Sequence, residues 1–277
     1  MGSINCNGTL IDLSAPKVMG ILNCTPDSFF DGGKYHNSTA VVNQVEKMLS
    51  EGATFIDVGA YSSRPGAKHI PEEEELNRIL PVIKLLISEF SSVLISVDTF
   101  RSHVAEQCIH HGACIVNDIA AGEMDANMFS TVAKLQVPYI MMHMKGTPQN
   151  MQQNPTYTNI VSDLLYYFSK KIAELHQLGV NDIITDVGFG FGKTIEHNYQ
   201  LLKHLALFKN LETPLLAGLS RKGMLYRPLG ITADSALNAT TAANTVALLN
   251  GASILRVHDV KEAVEAVKIV ALLNNKL

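Results

Sequence analysis

Cysteine is scarce in this 277-residue chain: Cys6, Cys24, Cys108 and Cys114 are the whole set, and no two stand as C-x-x-C. With 47% hydrophobic residues the chain can bury a sizeable core without covalent staples, so the four read as reduced thiols of a cytoplasmic protein. The start lacks a basic segment leading into an apolar run, so no signal peptide is expected. No apolar stretch reaches about 18 residues, so neither a membrane span nor a membrane partner is expected. No block of Lys and Arg stands out among 22 basic and 26 acidic residues, and the formal net charge is -4. Nucleic acid is therefore a poor partner, and an anionic substrate would need positive charge gathered locally at its site.

What is present is alternation. Runs rich in Ile, Val and Leu occur at 18–23, 54–59, 94–99, 114–119, 138–144, 183–188, 215–220 and 254–259. They are continuous rather than alternating, which suits strands of a parallel sheet buried on both faces. Helical patterns lie between them, at 39–51, 71–90, 102–111, 125–135, 159–178, 196–208, 234–250 and 261–273. Several stop at a glycine, namely Gly52, Gly112, Gly179 and Gly251. The acidic run 72–75 reads as a solvated helix start that complements the macrodipole. Asn7-Gly8, between Ile4 and Leu10, reads as a tight hairpin turn. Eight strand–helix units in series predict one (β/α)8 TIM barrel over residues 1–277, its floor closed by a hairpin within 1–17. An open doubly wound sheet would carry a dinucleotide fingerprint after its first strand, and Asn23-Cys24-Thr25-Pro26-Asp27 is not one.

In such a barrel, polar residues at the C-terminal strand ends face the active site. Here they are Asn23, Asp57, Asp98 with Thr99, Asn117 with Asp118, His143, Asp186, Ser220-Arg221-Lys222, and Arg256 with His258. Any one of these could be structural, but eight polar ends together are costly to desolvate without a ligand. Asp98, Asn117 and Asp186 can accept from the amidine-like edge of a 2-amino-4-oxo heterocycle. Lys222 can donate to that ring's carbonyl and nitrogen, and Arg256 can lie against its face. Asn23, Arg64, Arg256 and His258 favour an anion, most simply phosphate, and Ser62-Ser63-Arg64-Pro65-Gly66 adds hydroxyls and turn residues. The two sets together suggest a phosphorylated aromatic heterocycle. Gly188-Phe189-Gly190-Phe191-Gly192-Lys193-Thr194 looks like a phosphate loop, but its first glycine is one residue too close, and it reads as a tight strand-to-helix connection. His143-Met144 has no second ligand at zinc spacing.

These residues resemble a known family. Met19-Gly20-Ile21-Leu22-Asn23-Cys24-Thr25-Pro26-Asp27-Ser28-Phe29 with Asp31-Gly32-Gly33 looks like the first signature of the dihydropteroate synthases. Asp57-Val58-Gly59 through Ser63-Arg64-Pro65-Gly66-Ala67 looks like the second, and segments around Asp98, Asn117, His143, Gly188, Ser220 and Arg256 follow in order. The resemblance implies Mg2+-assisted condensation of 6-hydroxymethyl-7,8-dihydropterin diphosphate with p-aminobenzoate, giving 7,8-dihydropteroate and pyrophosphate, in a homodimeric sulfonamide target. It implies that Asp98, Asn117, Asp186, Lys222 and Arg256 hold the pterin. Ser63, Arg64, Pro65, Ser220 and His258 would serve the diphosphate and p-aminobenzoate, and Asn23 the Mg2+. Lys222, Arg256, Arg64 and His258 would carry the catalysis, under loops 25–35 and 62–68. Tyr61 stands where many members carry Glu. The rival readings are a pterin-dependent methyltransferase and a non-catalytic pterin-binding paralogue.

Overall fold

The structure, a computed structural model, describes residues 2–24, 34–63 and 69–273. Its first element is a hairpin of β1 (Ser3–Cys6) and β2 (Thr9–Asp12). Asn7 and Gly8 turn it with φ of 50° and 84°, the two positive values a type I′ turn requires. The strands β3 (Lys17–Asn23), β4 (Phe55–Gly59), β5 (Ile95–Asp98), β6 (Ile115–Asp118), β7 (Tyr139–Met142), β8 (Ile183–Asp186), β9 (Leu215–Ala217) and β10 (Ile254–Val257) follow. All pair in parallel in chain order, and β10 closes back onto β3. The closed barrel is therefore as expected.

The helices are α1 (Lys34–Ser50), α2 (Glu72–Glu89), α3 (Ser102–His110), α4 (Met128–Leu135), α5 (Ile160–Gln177), α6 (Ile195–Lys203), α7 (Gly223–Tyr226), α8 (Leu237–Leu249) and α9 (Val260–Leu273). Local chemistry starts several of them. The Asn159 side chain caps α5 by accepting from the N–H groups of Val161 and Ser162, and Thr194 with His197 forms a capping box on α6. Two expectations are corrected. The helix expected over 196–208 ends at Lys203, and the chain tightens into a 3-10 stretch over Leu205–Leu211. The run 72–75 is not wholly solvated. Glu75 is fully buried, accepting from Thr99 Oγ1 at 2.7 Å and Arg101 Nη1 at 2.5 Å.

Side-chain parity along the strands builds two cores. Outward-facing residues such as Val58, Val97, Val116, Met141 and Leu255 pack with the helices. Inward-facing Met19, Phe55, Ile115, Ile140, Ile184, Leu216 and Ile254 make an apolar layer at the bottom of the barrel. The hairpin presses Ile4 and Cys6 onto that layer, and Leu13 joins them. Asn5 N–H donates to Asp182 at 2.8 Å and pins the hairpin there. A strand alternates faces with period two, so the residue two places beyond each floor residue points inward as well, one layer higher. That higher layer carries polar strand-end residues.

Candidate active site

Two residues above Phe55, Ile115, Ile184 and Ile254 stand Asp57, Asn117, Asp186 and Arg256, and β5 adds Asp98 between Gly59 and Asn117. Arg256 joins them. Its Nε donates to Asp57 Oδ2 at 2.6 Å and its Nη2 to Asp98 Oδ2 at 2.6 Å. Asn117 Nδ2 donates to the same Asp57 oxygen at 3.0 Å. Asp186 accepts from the Gly188 N–H at 2.8 Å. Lys222 donates to the Phe189 carbonyl. A Cβ placed on Gly218 would lie 3.8 Å from Asp186 Oδ2 and 3.9 Å from Lys222 Nζ, so carboxylate and ammonium flank the same glycine. Ser220 and His258 pair at the rim, Oγ to Nδ1 at 2.9 Å. Asn23 ends β3 half-buried, in register with Gly59.

Burial sets the electrostatics. It pushes the Asp98 carboxyl up to about 7, against the pull of the Arg256 guanidinium. It raises Asp186 too, opposed by Lys222. Burial brings Lys222 down to about 8, against the stabilising charge of Asp186. Burial also works against the charge on Arg256, but Asp57 and Asp98 outweigh it and hold that guanidinium protonated. Acids and cations thus face one hollow in which each is costly alone, an arrangement suited to a polar planar ligand that replaces these contacts with its own.

The predicted pterin set of Asp98, Asn117, Asp186, Lys222 and Arg256 is brought together. Three other strand-end residues are not part of it, because parity turns them outward. Thr99 bonds Glu75, Asp118 accepts from Tyr139 Oη at 2.7 Å, and His143 packs against Tyr167. Arg221 ties two loops together through Asp259 at 2.8 and 2.9 Å. Ser63 is half-buried. Arg64 and Pro65 lie outside the described residues, as do residues 25–33. Sequence reasoning named Asp57 as a strand-end residue but gave it no role. Its position two residues beyond the inward Phe55 was the signal.

The comparisons with known proteins bear on this geometry. The family model described as pterin binding enzyme matches residues 19–258. A dihydropteroate synthase of Haemophilus influenzae is 43% identical over 265 residues, spanning 95% of this chain and 96% of the relative. The chain belongs to the dihydropteroate synthases. The Yersinia pestis dihydropteroate synthase, solved in a sulfonamide drug complex, superposes with a TM-score of 0.92 at 42% identity, covering 99% of each chain. The Xanthomonas albilineans dihydropteroate synthase in complex with 7,8-dihydropteroate gives 0.88 at 34% identity, covering 98% of each. Against the pattern expected of dihydropteroate synthases, Tyr61 is a departure. Here it turns into an apolar cap, its ring edge-on to Phe100 at 5.0 Å and its hydroxyl accepting from Gln149 at 2.9 Å. A separate hollow of 560 Å³ lies on the outer side of β7 with His143 and Tyr157 in its wall, and the pterin set takes no part in it.

Proposed function

We propose that this chain condenses 6-hydroxymethyl-7,8-dihydropterin diphosphate with p-aminobenzoate to give 7,8-dihydropteroate and pyrophosphate. The observation that carries this reading is the convergence of Asp98, Asn117, Asp186 and Lys222 on one inward-facing layer with Arg256 across it. In the reaction the C–O bond to diphosphate breaks, and its electron pair leaves with the phosphate oxygen. The amine nitrogen of p-aminobenzoate supplies the pair for the new C–N bond and then gives up a proton. We take bond breaking to run ahead of bond making, so that positive charge builds on the pterin methylene. Asp98 and Asp186 place negative charge beside that ring. Lys222 donates to its carbonyl and nitrogen, and Arg256, released from Asp98 by the entering ring, covers its face. Arg64, Arg256 and His258 then stabilise the departing diphosphate. No protein nucleophile is required.

Among the described residues no group of three or more His, Cys, Asp or Glu is arranged to hold a metal ion. Asn23 nevertheless offers an uncharged amide oxygen at the rim, the hard donor that suits Mg2+, an ion that keeps several waters and takes phosphate oxygens. When bound, Mg2+ supplies further positive charge to the leaving group.

We also propose a homodimer. α8 and α9 pack side by side, with Leu249 on one and Ile269 and Leu272 on the other each more than half exposed. Exposed apolar side chains on two neighbouring helices are a candidate contact for a second copy. A cytoplasmic location is supported by four buried, unpaired thiols. Among the described residues no helix is long and apolar enough to cross a membrane.

The test is pyrophosphate release, measured with and without p-aminobenzoate and Mg2+. Release that requires both supports the reading. A methyltransferase or a silent pterin binder would release none.

A further inference from the structure

The loop that looks like a phosphate loop keeps its lysine inside. Lys193 is 3% exposed. Its Nζ has three partners: Nδ1 of His143 at 3.0 Å, the His143 carbonyl at 3.1 Å and the Phe191 carbonyl at 2.9 Å. Burial pushes the Lys193 pKa well below its ordinary value, opposed by the charge of Asp186. An ammonium would donate to all three partners, and a neutral amine would donate to the two carbonyls and accept from the ring, so in either state nothing is left for a phosphate. Burial, helped by the charge on Lys193, holds the His143 pKa down at about 2 and keeps the ring neutral.

The loop between these contacts carries what Lys222 rests on. The Phe189 carbonyl accepts from Lys222, and the Phe191 ring lies 4.6 Å from its Nζ. A Cβ on Gly190 would come within 3.3 Å of the Lys222 stem. Gly188 and Gly192 hold φ of 70° and 59°, and side chains there would strike the carbonyls of His143 and Lys145, so the loop is wound tightly around the end of β7.

We propose that Lys193 is a positioning residue for pterin recognition: by tying Phe191 to His143 it holds the 188–192 loop in the shape that keeps Lys222 beside Asp186. This rests on the reading of Lys222 as a pterin contact. A lysine stem is flexible, and fixing its ammonium beforehand removes an ordering cost from ligand binding. Loss of Lys193 therefore weakens pterin binding measured in the absence of the second substrate.

The experiment compares wild type with Lys193→Met, His143→Leu and His143→Asn, the last of which keeps an acceptor near the place of Nδ1. It measures Kd for 6-hydroxymethylpterin and separate KM values for dihydropterin diphosphate and p-aminobenzoate, with circular dichroism to confirm folding. Lys193→Met is expected to raise the pterin Kd and KM about tenfold, and His143→Leu about threefold, with His143→Asn close to wild type. A folded Lys193→Met whose pterin Kd lies within about twofold of wild type, or a His143→Asn as impaired as His143→Leu, overturns the proposal. Should Lys193→Met not fold, the His143 pair decides, and equal behaviour of the two overturns it. Absence of p-aminobenzoate-dependent pyrophosphate release in wild type would take down the functional reading and this proposal together. Unchanged variants of an active wild type take down this one alone.

Discussion

Arg256 donates to Asp57 through Nε at 2.6 Å, although 199 residues separate them in the chain. The bond joins the last barrel strand to the second across β3. It leaves the rest of the guanidinium for Asp98, and it shares its acceptor oxygen with Asn117. Asp57 is thus the common anchor of two residues proposed to touch the pterin.

Asp57→Asn should loosen that anchor. Removing the charge on a fully buried partner of a cation costs about 2 kcal/mol of folding stability, read as a lower urea midpoint at unchanged slope. Turnover should fall as well, because Arg256 loses its orientation. A variant as stable and as active as wild type would show the contact to be incidental.

Asp186→Asn should weaken binding of pterin without its diphosphate. A lost hydrogen bond to a buried charge is worth about 1.5–3 kcal/mol, or roughly 10- to 150-fold in Kd. Unchanged affinity would remove that carboxylate from the site.

The carboxyl of Asp98 titrates ordinarily at 3.8 and is pushed by burial up to about 7. A raised acid pKa means that the bound proton favours the fold. That contribution is complete below 3.8 and lost as pH rises through about 7. Asp98→Asn, which cannot ionise, should therefore gain in melting temperature relative to wild type between pH 4 and pH 8 while losing pterin affinity. A difference in melting temperature that does not change with pH would contradict the assignment.

Much of this was legible beforehand because strands buried on both faces announce themselves as short apolar runs between helices with glycine stops. All eight barrel strands and the floor hairpin fall where those signals stand. What a run of apolar residues does not carry is its phase. Asn117 and Asp118 are neighbours in sequence, and only the pleat sends the first into the barrel, to Asp57, and the second outward to Tyr139. Glu75 looked like its three acidic neighbours because its partner Arg101 lies 26 residues away. Lys193 carried the emblem of a phosphate site, and three internal partners give it a different task.

Arg64→Ala should leave binding of bare pterin nearly intact while lowering turnover about 100-fold, as expected for a group that stabilises charge on the leaving diphosphate. Equal losses in both would make Arg64 structural.

Leu249→Asp should halve the mass of the proposed dimer seen by size-exclusion chromatography with light scattering, because it sets a charge on an exposed apolar position of α8. A mass unaffected by the change would place the dimer contact elsewhere or exclude it.

The most direct measurement follows the nitrogen. With 15N-labelled p-aminobenzoate, dihydropterin diphosphate and Mg2+, mass spectrometry should find the label in 7,8-dihydropteroate, one molecule formed for each pyrophosphate released. Pyrophosphate appearing without labelled product, or pterin returned as its alcohol, would contradict condensation in this barrel.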